Sequence, residues 1–117
     1  MQKENIVVIK SITLSLAIIS FCEILEKERR FVVANQLLKS GTSIGANLHE
    51  AQNAESKADF IHKVKIAAKE LEETKYWLLL CKNAPSYPFE NNLTKQVDEL
   101  GLIIYKILST SKKTNIL

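Results

Sequence analysis

The chain has 117 residues, 46% of them hydrophobic and 25% charged, with a formal net charge of +3. That apolar share excludes a disordered chain, the lack of a recurring block excludes a repeat array, and the length suits one domain. Three Gly and two Pro leave too few turn formers for a sandwich of short strands and favour a few long helices.

The first helix is expected over about residues 4–27. Ile9, Ile12, Leu16, Ile19 and Phe21 make its expected core stripe, while Val7, Leu14, Ile18 and Leu25 fall off that stripe. A helix that is apolar nearly all round is buried on more than one side, and another subunit is the simplest cover in a chain this small. Ser11 to Cys22 is uncharged and follows Lys3 and Lys10, which raises an export signal as the alternative. The run is well short of the ~20 residues that span a bilayer. Phe21-Cys22-Glu23-Ile24 also lacks the small residues of a cleavage site, so a buried helix of the mature domain is expected. Glu26 to Arg30 is the polar corner.

The second helix is expected over about 30–53. Its middle, Ser40 to Asn47, consists largely of small residues, and each Gly costs ~1 kcal/mol against Ala inside a helix. A loop break there is the alternative. Leu37, Gly41, Ile44, Leu48 and Ala51 nevertheless keep a four-three-four-three spacing straight through. Gly41 and Gly45 share a side and would admit the close approach of another helix. A second stripe of Gln36, Ser40, Ser43, Asn47 and Glu50 is polar: a solvated face or, if buried, a set of groups that must pair.

The third helix, about 56–83, has the clearest signals. Ser56 is a good N-cap, and Asp59 favours the helix N-terminus as a short capping-box variant. Phe60, Val64, Ala67, Leu71, Thr74, Leu78 and Cys81 form a heptad seam. Pro85 and Pro88 stop the helix. The fourth, about 91–110, begins at Asn91 or Asn92 and turns Leu93, Val97, Leu100, Ile104 and Ile107 inward; Leu102, Ile103 and Tyr105 fall largely outside, and the tail from Ser109 is expected to fray. Connections near 27–30, 53–56 and 83–91 are short enough for sequential neighbours, which gives an all-α, antiparallel up-down four-helix bundle over residues 1–117.

Catalytic chemistry is hard to place. Asp59 and His62 stand three apart, as in half of a carboxylate-bridged di-metal pattern, but no second acid–His pair exists. A solvated or cap-associated His62 is the simpler reading. Cys22 and Cys81 look like small buried hydrophobes near one end of the bundle, and two cysteines suit a reducing cytoplasm better than a stapled secreted scaffold. No nucleophile stands beside a His in a recognisable motif, and Gly41 to Gly45 lacks the Lys-Ser/Thr ending of a phosphate loop. No enzyme activity, metal or cofactor is expected.

Charge distribution is more informative. Lys57, Lys63, Lys65 and Lys69 crowd the first half of the third helix, with His62 on the same side as Lys65. They make either a solvated face, salt-bridged where Lys69 reaches Glu73, or a basic strip for phosphates that a ring of subunits would amplify. Arg29, Arg30, Lys112 and Lys113 are further candidates. Few aromatics accompany them, so base stacking is not indicated.

The segment Gln36 to Ala51 (QLLKSGTSIGANLHEA) resembles the central motif of the four-helix-bundle proteins encoded in 23S rRNA intervening sequences. Asp59-Phe60, Lys63, Ile66-Ala67, Lys69-Glu70, Glu73 and Tyr76-Trp77-Leu78 match the second half of that pattern, and His49 replaces its usual Ala. The resemblance implies the four-helix bundle. It also implies a similarity to the accessory variability determinant proteins of diversity-generating retroelements, which assemble as pentameric barrels and bind nucleic acid and a reverse transcriptase. On that likeness Ser43, Asn47, Glu50 and Glu73 are structural or inter-subunit hydrogen-bonding groups. The combined expectation is a cytoplasmic, non-enzymatic homo-oligomer, a pentamer by resemblance, that binds structured RNA or DNA through Arg29, Arg30, Lys63, Lys65 and Lys69. The alternative is a scaffold that docks a partner protein; no membrane role is expected.

Overall fold

Asn5 opens the first helix, α1 (Ile6–Lys27). Its side-chain oxygen accepts from the Val8 N–H (3.4 Å), and its amide donates to Gln52 at the far end of the next helix (2.6 Å). The computed structural model describes residues 5–116, with side chains to residue 111. Helices α2 (Phe31–Ala51), α3 (Lys57–Asn83) and α4 (Asn91–Ile116) follow, with no strand among the described residues. Each helix packs on the next and α4 returns to α1, while the diagonal pairs stay apart. The result is a four-helix bundle of 51 × 29 × 20 Å.

The polar corner after α1 is a Schellman turn. Arg30 N–H donates to Leu25 O (2.8 Å) and Arg29 N–H to Glu26 O (2.9 Å), with Arg29 at φ 64 in the left-handed position that usually holds Gly. These bonds satisfy carbonyls that a helix end otherwise leaves open.

In α1 the expected stripe is inverted. Val7, Ser11, Leu14, Ile18, Phe21, Cys22 and Leu25 are buried, whereas Ile9, Ile12, Leu16 and Ile19 face outward; of the expected set only Phe21 is in the core. The reason lies in the partner helix. A Cβ added at Gly41 would stand 2.8 Å from Ile18 Cγ2, and one added at Gly45 3.2 Å from Ser15 Oγ. The missing side chains of α2 are thus filled by the Ser11–Ser15–Ile18 side of α1. α2 is continuous through both glycines, and Leu37, Gly41, Ile44, Leu48 and Ala51 all face the core.

In α3 Ser56 Oγ accepts from Asp59 N–H (3.0 Å), and Asp59 Oδ2 accepts in return from Glu55 N–H (3.1 Å), a capping box displaced by one residue. The seam from Val64 to Cys81 is buried, with Phe60 half-buried at its start. Thr74 is its polar member: its hydroxyl lies 3.0 Å from Ser40 Oγ and 2.8 Å from Glu70 O, so both buried hydroxyls are partnered. In α4 Leu93, Val97, Leu100 and Ile104 are buried and Ile107 half-buried. α4 continues to Ile116, past the end expected near residue 110.

Length and composition would let α1 cross a membrane: its most apolar stretch has a mean hydropathy of 2.0, and 33% of that stretch is buried in the bundle. Its inner face is nonetheless an integral wall of the core.

Candidate nucleic-acid interface

The heptad seam of α3 faces inward, which turns His62, Lys65 and Lys69 to the solvent side. All three are exposed, and neither lysine forms an ion pair among the described residues. Lys65 and Lys69 stand one helical turn apart, roughly 6 Å along the axis. Lys57 is exposed near the start of the same helix.

The other expected cations are differently placed. Lys63 turns to α2 and binds Glu50 (2.9 Å); this hydrogen bond, with the charge of Glu50, raises the Lys63 pKa. Arg30 is engaged within its own corner. Its Nη2 donates to Ser86 Oγ (2.8 Å), and its guanidinium lies 4.5 Å from the centre of the Tyr87 ring. It therefore pins the loop between α3 and α4 to the start of α2. Arg29 is exposed on the left-handed corner. The side chains of Lys112 and Lys113 lie outside those described. The structure thus brings Lys65 and Lys69 together and leaves Arg29, Arg30 and Lys63 apart from them.

The polar motif residues follow α2 and α3 on their solvent side. Asn47 Nδ2 donates to Ser43 O one turn back (2.8 Å), and Glu50 takes Lys63. Glu73 accepts from Trp77 Nε1 (3.1 Å) and forms no ion pair with Lys69. The motif therefore runs as one unbroken helix whose small residues seat α1 and whose polar residues face α3 and solvent.

A family model described as 23S rRNA-intervening sequence protein matches residues 3–106. The chain belongs to that family. Among solved structures it is similar to a protein of unknown function from the S23 ribosomal protein family of Bacteroides thetaiotaomicron VPI-5482. That structure shares 38% identity with a TM-score of 0.82, over 87% of this chain and 97% of the other. No curated protein matches the chain.

Two further features of this 23S rRNA-intervening sequence family member escape a reading of the sequence. The first is a polar cluster across α3 and α4. Tyr105 Oη donates to Glu72 Oε2 (2.6 Å), while Lys75 reaches both Glu72 (3.9 Å) and Asp98 (4.0 Å). The bond to the Glu72 carboxylate, aided by partial burial, pushes the Tyr105 hydroxyl up to about 12. Beside the cluster a groove of about 230 Å³ is lined by Lys75, Leu78, Leu79, Lys82, Thr94, Val97 and Asp98. Its two walls come from helices joined by a loop, so α3 and α4 heptads read separately could not show it.

The second is the state of the thiols. Cys22 and Cys81 are buried and free, and Cys22 Sγ donates to Ala34 O (3.4 Å). Burial pushes Cys22 up to about 12, with Glu26 and Cys81 adding to the effect, and burial raises Cys81 as well. Neither supplies a thiolate at neutral pH, which is the form that attacks or ligates. Among the described residues no group of three His, Cys, Asp or Glu side chains could hold a metal ion.

Proposed function

We propose that this chain is a non-enzymatic, ring-forming bundle that binds structured RNA or DNA through the outward face of α3. The observation that carries the reading is the pair Lys65 and Lys69: exposed, one turn apart and without a carboxylate partner among the described residues. A ring would repeat the pair around its circumference, and repeated cations bind phosphates through release of condensed counterions. His62 extends the strip, and Arg29 is a second exposed contact. Arg30 and Lys63 hold the fold that presents them.

The helices are read as antiparallel, up and down. Glu50–Lys63 with Ser40–Thr74 supports that order for α2 and α3, and Lys75–Asp98 with Glu72–Tyr105 supports it for α3 and α4. Assembly is supported by Ile9, Ile12, Leu16 and Ile19, apolar side chains that the lone bundle leaves in water. Five subunits follow from the likeness of the α2 motif to the barrel-forming accessory variability determinant proteins. The buried free thiols suit a reducing cytoplasm.

The test is binding of a folded RNA or DNA hairpin while salt is raised. Affinity should fall with a log–log slope of roughly 0.9 per duplex phosphate contacted. Lys65→Glu with Lys69→Glu should abolish binding and leave the helical signal and melting temperature unchanged. Unaltered affinity would remove the strip from consideration. No binding to any nucleic acid at low salt would favour the second reading, a scaffold that docks a partner protein, for which the exposed face of α1 is the specific support.

A further inference from the structure

The outward side of α1 carries more order than incidental exposure requires. Ile9, Ile12, Leu16 and Ile19 step three, four, three along the helix and are 44, 46, 60 and 38% exposed. The same spacing continues into Glu23 and Glu26, which are exposed and form no ion pair among the described residues. A heptad seam of this kind is complementary to a helix or a helix-lined groove rather than to a flat surface.

The bundle itself offers such a groove. α1 and α3 stand diagonally across the bundle with no close backbone approach, so the channel between α3 and α4 opens on a different side from the α1 stripe. Leu79 on its edge is 56% exposed, and Leu102 (75%) and Tyr105 (44%) extend its apolar surface along α4. Lys75 is held by Glu72 and Asp98, whereas Lys82 is exposed and forms no ion pair among the described residues. An apolar channel with an available cation at one end is the chemical counterpart of an apolar stripe with two acids at one end.

The two surfaces also stand at matching heights. Cys22 Sγ meets Ala34 O, Ser40 meets Thr74, and Glu50 meets Lys63. Along α2 the step from Ser40 to Glu50 thus corresponds to the step back from Thr74 to Lys63 on α3. Ala34, six positions before Ser40, is then level with about Leu80, and so is Cys22. Glu23 and Glu26 share the level of Lys82, and Ile19 that of the Tyr76–Leu79 stretch.

We infer that a second copy of this chain lays its α1 stripe in the α3–α4 groove, with Glu23 and Glu26 against Lys82 and the Ile–Leu stripe over Leu79, Leu102 and Tyr105. The inference rests on the ring reading and specifies its contact. Rotation about an axis parallel to the helices leaves every height unchanged, which brings the acids of one copy to the lysine of the next. Each docked copy keeps one groove and its neighbour one stripe free, so addition is head to tail until the ring closes.

The test uses two variants at exposed positions, Leu16→Glu to spoil the stripe and Leu79→Glu to spoil the groove, each followed by sedimentation velocity and circular dichroism. Each alone should be a folded monomer. Mixed, they should form a 1:1 complex and nothing larger, because one intact stripe meets one intact groove. Lys82→Glu alone should weaken assembly at least tenfold, and adding Glu23→Lys with Glu26→Lys should restore it. If Leu79→Glu and Lys82→Glu leave the wild-type assembly intact while Leu16→Glu dissolves it, the stripe is covered elsewhere, and this contact is overturned while the ring reading stands. If the unaltered chain is a monomer at every concentration, the ring reading falls and this contact with it.

Discussion

The seam between α1 and α2 and the seam between α3 and α4 are built on opposite plans. In the first, Gly41 and Gly45 remove side chains from one helix, and Ile18, Ser11 and Ser15 of the other occupy the space. In the second, Gly101 is the only glycine; a Cβ there would meet Leu71 Cδ2 at 3.4 Å, and the surface beside it stays open as the groove. The same residue type therefore has different meanings. In α2 it is demanded by packing, and in α4 it is a removable weakness.

Four measurements test this contrast. The largest effect is expected at Gly41→Val, where the added atoms meet Ile18, a stiff β-branched side chain with no exposure. A loss of about 2–3 kcal/mol in urea unfolding is expected, in the range for overpacked cores; a neutral result would mean that the α1–α2 seam is looser than the geometry says. Next is Thr74→Val, which removes the closer of two partners of the buried Ser40 hydroxyl and leaves it only the 3.4 Å bond to Leu37 O. It should cost about 1–2 kcal/mol, and Ser40→Ala combined with it should cost less than the sum of the two single changes.

Smaller and opposite in sign is Gly101→Ala. Its Cβ finds ordinary contact, so the helix preference should raise stability by up to about 1 kcal/mol. A loss there comparable to Gly41→Val would erase the contrast. The smallest effect belongs to Tyr105→Phe. Because the folded-state pKa of Tyr105 is raised from 10.0 to about 12, its contribution is complete below pH 10 and is lost as pH climbs towards 12. The stability difference between wild type and variant should therefore shrink over that interval and stay flat below it, with a small size because the side chain is substantially exposed.

What the sequence conveys follows the same divide. The α3 seam and its Ser56 cap are legible because each is a local pattern that one helix carries whole, whereas the spacing of α2 favours continuity and Gly41 and Gly45 leave a break open. The core face of α1 is not legible. Two stripes compete on it at helical spacing, and hydropathy favours Ile9–Ile12–Leu16–Ile19 over a set that contains Ser11. Only the glycines of α2 decide, since they accept a serine and an isoleucine where bulkier residues would not fit. Among the site residues, Lys65 and Lys69 could be turned outward from the α3 heptad alone. Arg30 belongs to the corner by its position, but its engagement could not be foreseen, because its partners Ser86 and Tyr87 lie in a loop more than fifty positions later. Lys63 was closer to view: Glu50 and Lys63 flank one short turn, and their pairing needs only the ends of two sequential helices.

Trp77 gives the bundle an optical probe of its own. It is the sole tryptophan, half-buried on α3, edge-on to Tyr76 at 5.3 Å, with its indole N–H on the Glu73 carboxylate. Excitation at the red edge of protein absorbance therefore reports a single indole, located on the helix that presents Lys65 and Lys69. Material that settles on α3 beside Trp77 and displaces water from the ring should move the emission maximum to shorter wavelength, without an added dye or label. Events confined to the α1 side should leave the spectrum where it was.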